Sequence, residues 1–568
     1  VTTLVQRLVI GIALLVILTG ADKPPQSIPR IEGERIEVSL VNVDVVVTDK
    51  KGHRITGLTK DDFEITEDRK PQSITNFSEY RDHQTASVEN ARIASDAPPL
   101  EAASTLHPRA ARALVVFIDD MRLPNFKKDP VFAALKSMLH ETIGKDDLVM
   151  IARWRLKPFV EQQYTNNLAL VDAALERASA ASSGVLLDAA TEVRDRQDEV
   201  IQALQAAAQA SGSSTEIDPD DEIAMLDIRS RAQIAMWDMR QKAAAMNALI
   251  SSMPQGTKKA FIFLSSRFSA YAGGEFFFAS ADAMTLQDQQ HFNTTKIRSS
   301  LLNVANAHGV TIYPLYPEGL QTNATIASPS VTGDRAMRMA PPQAGNYLVL
   351  QNELTSLATI AEETGGKLAW SAVDVAKTLP LIRDDLTSYY SLAYHAPSRF
   401  DDKPRQIAVR TKNRAYVVRT RQHFVERSAQ AEMRDRLTAS LFTQALASRM
   451  PIDLELGYPK KQSKAKYTVP AKVRIPIKSL MTVDSSDKRK GAFSVYIATA
   501  RTLGIGAEVM HETVPFTMTS TPAADQFFTY EFDVLTDFLT TRIAVAVVDE
   551  LTGEIGYVRA ELPKTRAQ

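Results

Sequence analysis

Apolar positions along this chain follow three successive regimes. Between residues 36 and 80 they alternate with polar ones, with Val43 and Val45, then Phe63 and Ile65, two apart. Period two is the signature of a strand with one buried face, and the turn residues at 49–52 break the runs, so a small β domain is predicted over 36–80. From residue 113 the pattern becomes unbroken apolar runs separated by stretches with three- and four-residue spacing. An unbroken run suits a strand covered on both faces. Strands are therefore predicted at 113–118, 148–152, 157–162, 259–264, 310–315, 367–370 and 388–394. Helices fall between them at 131–143, 169–178, 189–210, 221–251, 296–308, 352–364 and 373–386. After residue 450 short β runs return with turn signals between them, which reads as a β-sandwich over 450–565.

Regular alternation of strand and helix predicts an α/β domain, doubly wound, over 111–397, with 189–251 as a helical insertion. Gly309 and Gly365 follow two of the helices directly, as expected where a chain leaves a helix through a left-handed residue. A Pro-, Ala- and Ser-rich linker is read at 85–110, a hairpin at 403–425 that completes the first β domain, and a helix at 427–449. Along the second insertion helix Met225, Ile228, Ala232, Met236, Met239, Ala243, Met246 and Ile250 form one apolar stripe. Two readings stay open for it: packing inside the domain, or a Met-rich partner surface.

Composition narrows the function classes. The chain has 568 residues, no cysteine and a formal net charge of −1. Disulfides, thiolate metal sites and cysteine nucleophiles are excluded, and no overall field favours nucleic acid. Residues 1–21 carry Arg7, an apolar run at 8–18 and small residues at Thr19 and Ala21. That three-part pattern predicts a secretory signal peptide, hence a secreted or periplasmic protein with no membrane contact beyond this segment; a retained anchor is the alternative.

The run ending Phe117-Ile118-Asp119-Asp120 and the strand–helix order that follows resemble the von Willebrand factor A fold. More closely, residues 43–49, Gly52, Gly57, Asp62-Phe63, Glu67-Asp68 and 72–74, with Tyr389-Tyr390 and 405–409, are similar to the VWFA-related domain proteins abundant in acidobacteria. The resemblance covers about residues 36–425 and implies a fold and an extracytoplasmic setting, but no reaction. In metal-binding A domains the first strand ends Asp-x-Ser-x-Ser, a Thr follows the third and an Asp the fourth, which are hard oxygen ligands for Mg²⁺ or Ca²⁺. Here Met121 and Leu123 replace the serines, and Ser265-Ser266-Arg267 offers no carboxylate. The resemblance therefore implies a degenerate site, with Asp119, Asp120 and Thr165 as the remaining candidate ligands. Either these hold a metal through waters, or the aspartates are structural, bonded to backbone N–H groups or paired with an arginine. The incomplete donor set favours the second.

Ligands of open α/β sheets bind beyond the carboxyl ends of the strands. The connections there are long, 267–295 and 316–347. They supply Tyr271, Phe276, Phe277, Phe278, Arg335 and Arg338 as candidate partner contacts. The aromatic triplet has a second reading as a lid packed on its own domain. No zincin, nucleophile-elbow, Walker or dinucleotide motif occurs. The sequence thus predicts a non-enzymatic, exported protein-binding or assembly scaffold with an unidentified protein partner. The alternatives are a structural subunit of an extracellular assembly, with self-association, or a metal-dependent adhesion protein.

Overall fold

The structure, a computed structural model, describes residues 38–81, 84–90, 112–119, 128–155, 157–180, 219–265, 268–278, 284–317, 342–443, 448–463, 466–485, 488–501, 509–518, 526–537 and 540–563. The signal-like segment and the first insertion helix lie outside these residues.

Alternation in the first regime produces β1 (Val38–Thr48), β2 (Phe63–Glu67), β3 (Lys70–Gln72), β4 (Ile74–Arg81) and β5 (Gln84–Asn90). β5 pairs antiparallel with β4, so the stretch read as linker begins with an edge strand. Thr85 and Val88 are β-competent, but the scan for large apolar groups passes over so polar a strand.

The second regime gives β6 (Arg112–Asp119), α1 (Lys128–Thr142), β7 (Leu148–Trp154), β8 (Pro158–Thr165) and α2 (Leu168–Ala180). It continues with α3 (Pro219–Ser251), β9 (Lys258–Leu264), α4 (Gly274–Phe278), α5 (Leu286–Phe292), α6 (Thr295–Ala307), β10 (Val310–Leu315), α7 (Pro342–Thr364) and α8 (Ala372–Thr387). The sheet order is β10-β9-β6-β7-β8, parallel except for β8, which runs antiparallel to β7. All eight residues of the central β6 are buried, which explains its unbroken apolar run. On one face Leu114, Val116 and Ile118 meet α1, α2 and α8 through Leu135, Leu175 and Ile382. On the other, Val115 and Phe117 meet α3, α6 and α7 through Met246, Leu301 and Leu357. The predicted strand at 367–370 shrinks to one parallel bridge, Leu315↔Ala369.

The predicted last α/β strand belongs elsewhere. β11 (Tyr389–Pro397) pairs antiparallel with β1 and β4, with Val43 opposite Leu392 and Phe77 also opposite Leu392. Its Tyr390, Leu392 and Tyr394 face the core of the first β unit, beside Val43, Phe63 and Ile407. On its other face Tyr389 and Ala393 are also covered, Ser391 is half-buried and His395 is exposed. β12 (Pro404–Thr411) pairs with β2, β13 (Val417–Arg419) with β1, and β14 (His423–Val425) with β12. The α/β unit is thus inserted between the strands of the β unit.

Asp385 on α8 joins the two. Its carboxylate, on a residue 2% exposed, takes the guanidinium groups of Arg54 and Arg419 from the β unit and the Tyr313 hydroxyl from β10, the Arg419 contacts at 2.6 and 2.8 Å.

α9 (Ala429–Ser440) leads into the third regime. There β15 (Asp453–Leu456), β16 (Lys460–Lys461), β17 (Lys466–Pro476) and β21 (Phe527–Asp537) form one sheet. β18 (Val483–Ser485), β19 (Lys488–Arg501), β20 (Met510–Met518), β22 (Thr540–Asp549) and β23 (Ile555–Glu561) form another. Val469, Val473, Phe493, Val545 and their neighbours close the core between them. Met433 and Leu437 of α9 pack on the outer side of the second sheet against Ala498 and Ala544.

Candidate functional site

The carboxyl end of β6 is where the fold would present a ligand, and Asp119 stands there as its last residue. Burial on both faces of the strand leaves this carboxylate 0% exposed. An ionised carboxylate so placed needs a partner of opposite charge. That partner is Lys242 of α3, with Nζ 2.5 Å from Asp119 Oδ2 and a side chain 1% exposed. Ser265, one residue past β9, donates its hydroxyl to the same oxygen at 2.9 Å. Asp238, one turn before Lys242, lies 3.5 Å from the ammonium and accepts the Trp154 indole N–H at 2.9 Å. Asp119, Lys242, Asp238 and Trp154 therefore form a chain across the ends of β6 and β7.

The geometry tests whether Mg²⁺ or Ca²⁺ fits. Those ions take six or more oxygen ligands. The described oxygens here are the Asp119 carboxylate, the Ser265 hydroxyl and, beyond the ammonium, the Asp238 carboxylate, and that ammonium already stands in contact with Asp119. Asp119 Oδ1 has no hydrogen-bond partner among the described residues. A second cation beside Lys242 would meet direct like-charge repulsion in a buried setting, so the described residues do not fit a divalent ion. Among them no three His, Asp or Glu side chains gather elsewhere for a metal.

Thr165 does not join this site. β8 is antiparallel, and its register sets Thr165 opposite Val149, whereas Asp119 lies opposite Trp154. Five residues of strand, roughly 16 Å at ~3.3 Å each, separate the two ends. The Thr165 hydroxyl instead accepts the Asn167 N–H at 3.1 Å, in the turn before α2. Asp120, Phe278's side chain, Arg335 and Arg338 lie outside what the structure describes.

The loop after β9 is fastened down. Asn352 of α7 brackets Tyr271, accepting its N–H at 2.8 Å and donating to its carbonyl at 3.0 Å. Glu353 accepts the Phe268 N–H at 2.9 Å. Phe277 is 1% exposed and packs with Ala232, Met236, Met284 and Phe292. Phe276 is half-buried, with the Arg231 guanidinium 5.9 Å from its ring centroid. Phe277 is therefore a core residue, and the lid reading describes its geometry. Gly273, at φ 69°, lets the loop touch α3: a Cβ there would lie 2.4 Å from the Ala232 Cα. The stripe on α3 divides between two surfaces, with Met239, Ala243, Met246 and Ile250 on the sheet and Ala232 and Met236 under this loop.

Sequence reasoning missed Lys242. The signal was present: it stands three residues after Met239 and four before Met246, on the stripe itself. A lysine on a buried helix face implies a buried carboxylate opposite.

No family model matches the chain, and no curated protein sequence matches it. Among solved structures it is similar to the conserved hypothetical protein BatB of Bacteroides thetaiotaomicron, at 12% identity over 49% of this chain and 96% of that one, with a TM-score of 0.22. A von Willebrand factor type A protein of Catenulispora acidiphila matches at 8% identity over 87% of this chain and 75% of that one, TM-score 0.23. An aerotolerance-related membrane protein of Bacteroides fragilis matches at 12% identity over 49% and 98%, TM-score 0.23. Scores this low add nothing to the argument, which rests on the strand order and the side-chain contacts. No described helix is long and apolar enough to cross a membrane.

Proposed function

We propose that this chain is an exported, non-enzymatic binding or assembly scaffold whose doubly wound, von Willebrand A-type domain works without a divalent ion. The observation that carries this reading is Lys242 Nζ 2.5 Å from Asp119 Oδ2. In an A domain that binds metal, the ion on the first-strand aspartate leaves a coordination position for a partner's carboxylate. Here the cation is covalently part of the chain and is buried. An ammonium held this way neutralises Asp119 and ties α3 to the sheet, but offers no exchangeable position. Partner contact then falls to the loops and outer surfaces.

Calorimetric titration of Mg²⁺, Ca²⁺ and Mn²⁺ into the wild type, Asp119→Asn and Lys242→Met tests the reading. The wild type is expected to give no saturable heat. Saturable binding by the wild type that Asp119→Asn removes would overturn it.

A second reading, a structural subunit that self-associates, has one observation in its favour. Among the described residues β21, eleven residues long, pairs with β17 alone, which leaves a long strand edge. Unpaired edges of that length are templates for strand addition. Native mass measurement over a range of concentrations distinguishes the two, since a subunit of this kind forms higher oligomers as concentration rises.

A further inference from the structure

A cleft of about 470 Å³ lies between the β unit and the amino-terminal end of the α/β sheet, far from Asp119. Its volume falls within the ~300–1,000 Å³ usual for small-ligand sites. The lining is polar, and its charges do not cancel. Lys258 is matched by Asp44, Nζ to Oδ2 at 2.6 Å. Arg419 is matched by Asp385, which also takes Arg54. Arg421 is different. Its guanidinium donates to two main-chain carbonyls, of Asn306 and Asn42, and sits 5.6 Å from the Phe424 ring centroid. Among the described residues no carboxylate forms an ion pair with it. Burial lowers its pKa below the ordinary arginine range, opposed in part by the charge of Asp44.

A guanidinium has five N–H donors in a fixed fork, and two are used here. Arg421 is half-buried at the cleft wall, so its unused donors face the space that an anion would fill and complete. The residue before it helps to hold the position, since the Thr420 hydroxyl donates to the Asp44 carbonyl at 2.7 Å. The Asn42 side chain, on the same residue whose carbonyl accepts from Arg421, is exposed in the cleft and available to a ligand.

We propose that this cleft binds a small anion bearing a phosphate or carboxylate group, with Arg421 as the anchoring cation. The two units that line it are joined through Asp385, so an occupant would bridge them and stiffen their relative placement. This site is independent of the reading of Asp119.

The test is calorimetric titration of the full chain with inorganic phosphate, with succinate, and with succinamide as an uncharged match. One or both anions are expected to bind saturably and succinamide is not. Asn42→Asp places a carboxylate beside Arg421 without removing a folded-state contact. It is expected to weaken anion binding by roughly tenfold or more, through like-charge repulsion and internal neutralisation, while the unfolding midpoint is not lowered. Arg421→Gln should abolish binding, and Arg421→Lys should restore it in part. The proposal is overturned if neither anion binds the wild type, or if Asn42→Asp binds as tightly as the wild type.

Discussion

Lys242 Nζ and Asp119 Oδ2 stand 2.5 Å apart with side chains 1% and 0% exposed, which makes them a fully internal ion pair. Such pairs do not add much stability relative to well-packed apolar groups, because both charges lose their water. Breaking one is another matter: without Lys242 the Asp119 carboxylate loses its buried cation, and without Asp119 the ammonium keeps only the longer approach to Asp238, at 3.5 Å, from this chain of charges. Lys242→Met or Asp119→Leu alone is expected to cost about 3–5 kcal/mol. The double variant Asp119→Leu/Lys242→Met should recover most of that loss. Urea unfolding of the four proteins measures the coupling, and purely additive single losses would remove the pair from the account.

His308 closes α6, is 7% exposed, and has Glu432 of α9 3.8 Å from its Nε2. Burial, partly opposed by Glu432 and reinforced by Lys259, Arg436 and Arg427, pulls its pKa down to about 4. In the unfolded chain it titrates near 6.5, so between those values the unfolded state binds the extra proton and stability falls as pH falls. The loss should begin near pH 6.5 and grow to roughly 3 kcal/mol by pH 4. His308→Gln should flatten that segment of the stability–pH curve. An unchanged slope in the variant would assign the acid sensitivity elsewhere.

Asp385 contributes in a lower window. Burial raises its carboxyl, but the Arg419 and Arg54 guanidinium groups outweigh this and hold it below the ordinary carboxylate range. Its stabilisation is therefore complete above the unfolded value near 3.9 and is lost as pH falls through the depressed folded value. Asp385→Asn leaves two guanidinium groups without their shared charge. We expect a loss of about 3–5 kcal/mol at neutral pH, with earlier proteolysis between the β and α/β units. Limited digestion followed by mass analysis reads the second effect directly.

The parallel strands were legible because the middle of a strand buried on both faces is apolar, as at 113–118 of β6 and 260–264 of β9, with the buried charged residues confined to the strand ends. Pairing partners were less so. Residues 388–394 are predicted as the last α/β strand, but they pair with β1 and β4 in the β unit. Strand direction was not legible at all. Thr165 lies in the right order along the chain, but the antiparallel course of β8 carries it to the opposite end from Asp119. For Asp119 the sequence suggests backbone N–H groups or an arginine as partner, and its cation is Lys242. Its clue lay over a hundred residues away in the chain, on a helix whose docking the sequence did not specify.

Gly273 marks where the loop after β9 crosses α3. Its φ of 69° lies in the left-handed region, and a Cβ would come within 2.4 Å of the Ala232 Cα and 2.6 Å of its Cβ. Backbone cannot yield as a flexible side chain does, so Gly273→Ala should cost well over the ~1 kcal/mol of the backbone term alone. Gly553, at φ 71° with nothing within 4 Å, provides the control. Gly553→Ala should show the backbone term only. Equal losses at the two positions would mean that the loop does not rest on α3.

Phe276 and Phe277 separate packing from recognition in the same short helix. Phe277 is 1% exposed among Met236, Met284 and Phe292, so Phe277→Ala opens a cavity and should cost about 3–5 kcal/mol. Phe276 is half-buried with Arg231 5.9 Å from its ring centroid. Losing that contact should cost roughly 0.5–1 kcal/mol. Phe276→Ala therefore preserves the loop while removing an aromatic surface, and it is the variant in which a change in partner binding can be read without a change in fold. Thermal unfolding of both single variants checks the difference. If Phe277→Ala is no more destabilising than Phe276→Ala, the loop is not held by its buried ring, and Phe277 returns to the residues available to a partner.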